Sequence, residues 1–121
     1  LESFLKDFPD DNRGLFTSLQ AMLAASAGQE QIAEEKIRIA VENGKGFGHF
    51  HHTAYFIACA YALMNKPEQA VTWLESAAEN GFPCYPLFEN DDNLNKIRQD
   101  PRFVAFMAKL RPQWEYFKTI L

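Results

Sequence analysis

The sequence is poor in the features that usually announce chemistry. Only two of its 121 residues are cysteine, Cys59 and Cys84, and they are far apart with no CxxC spacing. No disulfide scaffold and no ribbon-type zinc motif is written there, and two free thiols in a reducing cytoplasm are expected. Positive charge is also scarce. Twelve Lys and Arg stand against sixteen Asp and Glu, for a net charge of −4 and a pI of about 5.3. The bases are scattered, so a nucleic-acid backbone, which needs them clustered, is not expected as a partner. Long apolar runs are missing too. The longest, 54–64, falls short of the ~18 residues of a membrane span, and no signal-peptide pattern precedes it. The glycines of GKGFG have neither phosphate-loop spacing nor a preceding strand. No Ser, His and Asp set follows from spacing, and the pairs Asp10-Asp11 and Asp91-Asp92 are expected as helix caps. An enzyme is therefore not expected, nor is a cofactor. The chain opens on Leu1 rather than Met, which suggests a piece of a longer protein.

What is present is enough apolar material for one domain: 47% of residues, eleven of them Phe. Much of it is arranged as a repeat. Residues 19–44 align without a gap on residues 56–81, an offset of 37. Ala21, Ala25, Ala33, Ala40, Glu42, Asn43 and Gly44 fall on Ala58, Ala62, Ala70, Ala77, Glu79, Asn80 and Gly81. Each copy reads as two helices, over about 11–27 and 30–43, then about 49–65 and from Pro67. Gly28 breaks the first pair. Lys66-Pro67 breaks the second, because a residue before proline avoids the α region while proline itself suits a first helical position. Gly44 and Gly81 are expected to stop the second helices as left-handed caps. Ala70, Trp73, Leu74, Ala77 and Ala78 form one apolar stripe. Glu34 and Arg38, one turn apart, are expected to pair. Ala21 with Ala33, and Ala58 with Ala70, are small enough to let antiparallel helices approach closely.

These features resemble the tetratricopeptide repeat, with its W-x₂-L-G-x₂-Y…A-x₃-F pattern. The second copy supplies Ala54, Ile57, Ala58, Tyr61, Ala70, Leu74 and Ala77 in that spacing; the first supplies Thr17, Gln20, Ala21, Ala24, Ala33, Ile37 and Ala40. The period of 37 departs from the usual ~34, and the closing proline is missing. The tail, with its Asp-Pro-Arg-Phe run, resembles the segment that closes such arrays in large bacterial multidomain proteins. The resemblance implies an all-α fold: antiparallel helix pairs stacked as a short right-handed superhelix. It also implies one domain over 1–121, with residues 1–10 ending a preceding repeat, repeats at 11–44 and 49–81, and capping helices at 90–121. In the tail, Asp100 and Pro101 suit a helix start, Phe103, Phe106, Met107 and Leu110 share a face continued by Trp114 and Phe117, and Pro112 is expected to kink or break the helix near Arg111. Two prolines in 82–88 argue against a regular helix there.

His49, His51 and His52 open the third helix. His49 and His52 share a face while His51 points elsewhere, so three ligands do not meet one ion. No metal site is expected; His49 and His52 are the candidates, with Cys84 or Glu89 left open as a further ligand from the following loop. The apolar run behind them reads as a helix buried on several sides.

The resemblance places a concave groove on the first helix of each pair. Its positions are Leu15, Ser18, Leu19, Met22 and Ser26, then His52, Tyr55, Phe56, Cys59 and Leu63. The Lys, Arg and Asn with which some family members grip a peptide's terminal carboxylate are absent from them. A mainly apolar groove implies a protein or peptide partner, amphipathic or hydrophobic, or else a groove filled by the tail or by missing upstream repeats, and the sequence leaves both open. The expected function is a protein–protein interaction module in a bacterial cytoplasmic protein, with self-association as a homodimer the alternative and a His-based metal-binding module behind it, and no membrane or nucleic-acid partner.

Overall fold

The computed structural model describes residues 14–44, 50–79 and 83–120. Among them there is no strand. The helices are α1 (Leu15–Ser26), α2 (Glu30–Gly44), α3 (Phe50–Leu63), α4 (Pro67–Glu79), a short α5 (Tyr85–Asn90), a 3-10 helix (Asp92–Ile97) and α6 (Pro101–Ile120). α1 packs on α2 and α3 on α4, as two hairpins, and α1 also lies along α3. The 3-10 helix packs on α3, while α6 packs on α4 and α5. The expected all-α architecture is thus present.

The repeat is visible in the turns. Gly28 (φ 78°) and Asn65 (φ 57°) both take the left-handed conformation, exactly one repeat apart in the chain. After α1, Gln29 N–H donates to the Ala24 carbonyl (2.8 Å) and Gly28 N–H to that of Ala25 (3.1 Å). After α3, Lys66 N–H donates to Tyr61 (2.9 Å) and Asn65 N–H to Ala62 (2.9 Å). Both are Schellman turns, which satisfy the last carbonyls of a helix with a left-handed residue behind it. Asparagine tolerates that conformation better than most residues with a side chain.

Ala21, Ala33, Ala58 and Ala70 are fully buried, as close approach within each hairpin requires. Ala33, Ile37 and Ala40 of α2 meet Ala21 and Ala25 of α1, with Ile57 and Ala60 of α3 joining from beside them. A second core joins α3 and α4 to Phe88, Leu94, Ile97, Phe103, Phe106, Met107 and Leu110 of the tail. Of the α4 stripe, Ala70, Leu74 and Ala77 are buried and Trp73 and Ala78 half-buried.

Several expectations need correcting. α1 begins at Leu15, behind a left-handed Gly14; residues 11–13 lie outside the described residues, as do 1–10, 45–49 and Gly81. Gly44 is the last residue of α2 and is buried. α6 runs unbroken through Pro112. Pro112 and Ala108, whose carbonyl loses its donor, are both exposed, on the side away from Phe103 and Leu110, so water can satisfy that carbonyl. α5 forms despite two prolines because Pro86 sits in its first turn, where an N–H has no helical acceptor. Arg38 pairs with Glu35 (2.6 Å), whereas Glu34 accepts from Lys66 (2.8 Å) and Tyr61 (3.5 Å) across the hairpin interface. Asp100 caps α6 as expected, its carboxylate accepting from Arg102 N–H (2.9 Å).

Candidate interaction face

The ten groove positions divide into two groups. Leu15, Leu19 and Met22 of α1, and Phe56 and Leu63 of α3, are half-buried; Ser26 and His52 are exposed. Ser18, Tyr55 and Cys59 are inside the fold. Ser18 turns its hydroxyl back to the Leu15 carbonyl (2.6 Å), a local bond that a serine in a first helical turn readily makes.

Tyr55 and Cys59, 5% and 0% exposed, are covered by the chain's own tail. The Phe88 ring stacks on Tyr55 at 5.3 Å with 15° between the planes. The Tyr55 hydroxyl donates to the Asp91 carboxylate, and the Cys59 sulfur lies 3.9 Å from the same oxygen. The other Asp91 oxygen accepts from Asn93 N–H (2.9 Å) and so caps the 3-10 helix. Arg98 closes this clasp from the far side. Its guanidinium donates to the carbonyls of Asp91 (2.6 Å) and Phe88 (3.1 Å), with a third bond to Asn95 Oδ1 (2.8 Å), and stands over the Phe103 ring at 5.9 Å. Lys96 donates to the Leu63 carbonyl (2.9 Å), satisfying the end of α3. Asp91 and Lys96 therefore tie the tail to α3, while Arg98 braces the tail internally.

Burial pushes the Cys59 thiol up to about 12, with the Asp91 charge adding to the effect. Burial also pushes the Tyr55 hydroxyl far above its ordinary range, helped by Cys59 and Asp91. Both groups stay protonated at neutral pH, and Cys59 has neither the thiolate character nor the access that a nucleophile needs. The cluster's role is to hold the tail. Sequence reading missed Asp91, Lys96 and Arg98 because their partners lie 36, 33 and seven to ten residues away. Asp91 did carry one signal, as an expected cap.

The His51 and His52 rings lie 4.3 Å apart, and His49 lies outside the described residues. Among the described residues, no group of three or more His, Cys, Asp or Glu is placed to hold a metal ion, and no helix is long and apolar enough to cross a membrane.

Comparison with known proteins finds no family model, curated protein or solved structure that matches this chain.

Of the ten positions, the half-buried apolar ones are Leu15, Leu19 and Met22 on α1 and Phe56 and Leu63 on α3. Met22 and Phe56 both pack at the rim of the second core. The five side chains are hydrophobic, and α1 carries no charged residue at all.

Proposed function

We propose that this chain is a protein–protein interaction module of the tetratricopeptide type, the end of an array within a larger bacterial cytoplasmic protein. Two hairpins with equivalent turns, joined along α1 and α3, support stacking as a right-handed superhelix. The observation that supports the function is that five apolar side chains on these two packed helices are only half-buried. A methionine and a phenylalanine among them suit an amphipathic or hydrophobic peptide, since methionine adapts its shape to the guest. None of the five side chains is a cation that could grip a carboxylate, so the reading has side chains rather than a chain terminus recognised. The tail covers Tyr55 and Cys59, which narrows the face to the five side chains named above.

Selection from a random peptide library on the immobilised chain tests this. Enriched peptides should carry apolar residues at i, i+3, i+4 and i+7. Phe56→Ser with Met22→Ser should weaken them at least ~10-fold, the effect expected of truncated interface anchors, with unchanged circular dichroism. Peptides lacking that spacing, or binding both forms equally, would contradict the reading.

A further inference from the structure

α6 and α4 run side by side in the same direction. Glu68, near the start of α4, lines a groove with Arg102, near the start of α6. Ala78 and Glu79, at the end of α4, line one with Leu110 and Gln113. α4 ends at Glu79, whereas α6 continues to Ile120. Residues 114–120 therefore run on past the end of α4, for about 10 Å of helix.

Burial changes at the same point. Between 101 and 111, α6 buries Phe103, Phe106, Met107 and Leu110. From 112 to 120 no side chain is buried, and only Trp114 is half-buried. Trp114 and Phe117 continue the buried stripe, yet Phe117 is 39% exposed, and Ile120 at the end of the helix 60%. Among the described residues, the hydrogen bonds, ion pairs and ring contacts of the last turns are local. Glu115 pairs with Lys118 (3.2 Å), the Thr119 hydroxyl donates to the Tyr116 carbonyl (2.6 Å), and the Tyr116 and Phe117 rings meet edge to face (6.3 Å). Exposed pairs of this kind hold a helix weakly, and a hydroxyl bonded back to its own backbone loosens it.

Pro112 stands at this boundary. It removes the bond to the Ala108 carbonyl and biases Arg111, the residue before it, away from the α region. The stretch beyond it, 113–120, is shorter than the ~12–15 residues below which an unsupported helix is marginal in water.

We propose that Pro112 is a hinge dividing α6 into a fixed half, 101–111, packed on the body, and an arm, 113–120, whose helix melts and re-forms on its own. The arm's order is set by local propensity and by the burial of Trp114 and Phe117, not by the cooperative unfolding of the domain. This goes beyond the peptide-binding reading and involves none of its five side chains.

Native-state amide hydrogen exchange, read by NMR on the full chain and on its Pro112→Ala variant, tests the hinge. In the unmodified chain the amides of Tyr116, Phe117 and Lys118 should be at least ~100-fold less protected than those of Phe106 to Leu110. Urea below the unfolding transition should speed exchange from Phe106 to Leu110 and leave the arm unchanged, because local opening exposes little new surface. Pro112→Ala restores the missing donor and frees Arg111, and should raise protection at Tyr116, Phe117 and Lys118 by ~10-fold. A smaller gap between the two halves, or arm exchange that rises with urea as the body's does, would show that the body holds the arm. Arm protection unchanged in Pro112→Ala would show ordinary fraying of a helix end with no hinge at the proline. Any of these results overturns the proposal.

Discussion

At the scale of single residues, the decisive contact is the Tyr55 hydroxyl on the Asp91 carboxylate. Tyr55→Phe keeps the stacking on Phe88 but removes the donor. It should cost about 1–2 kcal/mol, as a hydrogen bond to a partly buried carboxylate does, read as a lower urea midpoint at unchanged m. Cys59 gives a pH signature. Its folded thiol is held near 12, against 9.0 for an ordinary one. The unfolded chain therefore releases the proton first. The stability linked to this group is complete below about pH 9 and is lost as pH rises toward about 12, at up to ~1.4 kcal/mol per unit. Cys59→Ala should flatten the decline between pH 9 and 10, below the ordinary tyrosine value of 10.0; an unchanged slope there would place its origin elsewhere. In the folded chain a chromogenic disulfide reagent should titrate the half-buried Cys84 and leave the buried Cys59 until urea is added. None of these pairings was legible in the sequence, because side chains 32 and 36 residues apart leave no local pattern.

At the scale of elements, glycine separates two kinds of constraint. Gly28 has a positive φ but open space around it, so Gly28→Ala should cost only the left-handed strain, about 1–2 kcal/mol. Gly14 shares that conformation, and a Cβ there would sit 2.2 Å from the Ala40 carbonyl oxygen. Gly14→Ala should therefore cost a further ~1–3 kcal/mol for overpacking. Equal thermal midpoints for the two variants would mean that α2 moves away from Gly14 freely. Pro112→Ala restores a donor to an exposed turn of α6. It should raise helical ellipticity and stability, by up to the ~3 kcal/mol that proline costs inside a helix, and loss of either would show that the proline is required. Hairpin boundaries were largely legible, because Gly28 and Pro67 act locally and the alanine spacing repeats. The unbroken α6 was not, since tolerance of Pro112 depends on which side of the helix faces water.

At the scale of the whole molecule, two similar hairpins bury their alanines while the tail is clasped onto α3. The repeat offset made the pairing of α1 with α2 and of α3 with α4 readable in advance. The division of the face was not readable, because it depends on where residues 85–98 fold back. Tyr55 and Cys59 carry the same periodic signature as Phe56 and Leu63, and only the tail's course separates buried from open. The most direct test is a two-dimensional amide NMR titration with a library-selected amphipathic peptide. Shifts should concentrate on Leu15, Leu19, Met22, Phe56 and Leu63, with the buried Cys59 region changing little. Shifts confined to the α4–α6 side, or none at saturating peptide, would contradict an interaction face on α1 and α3.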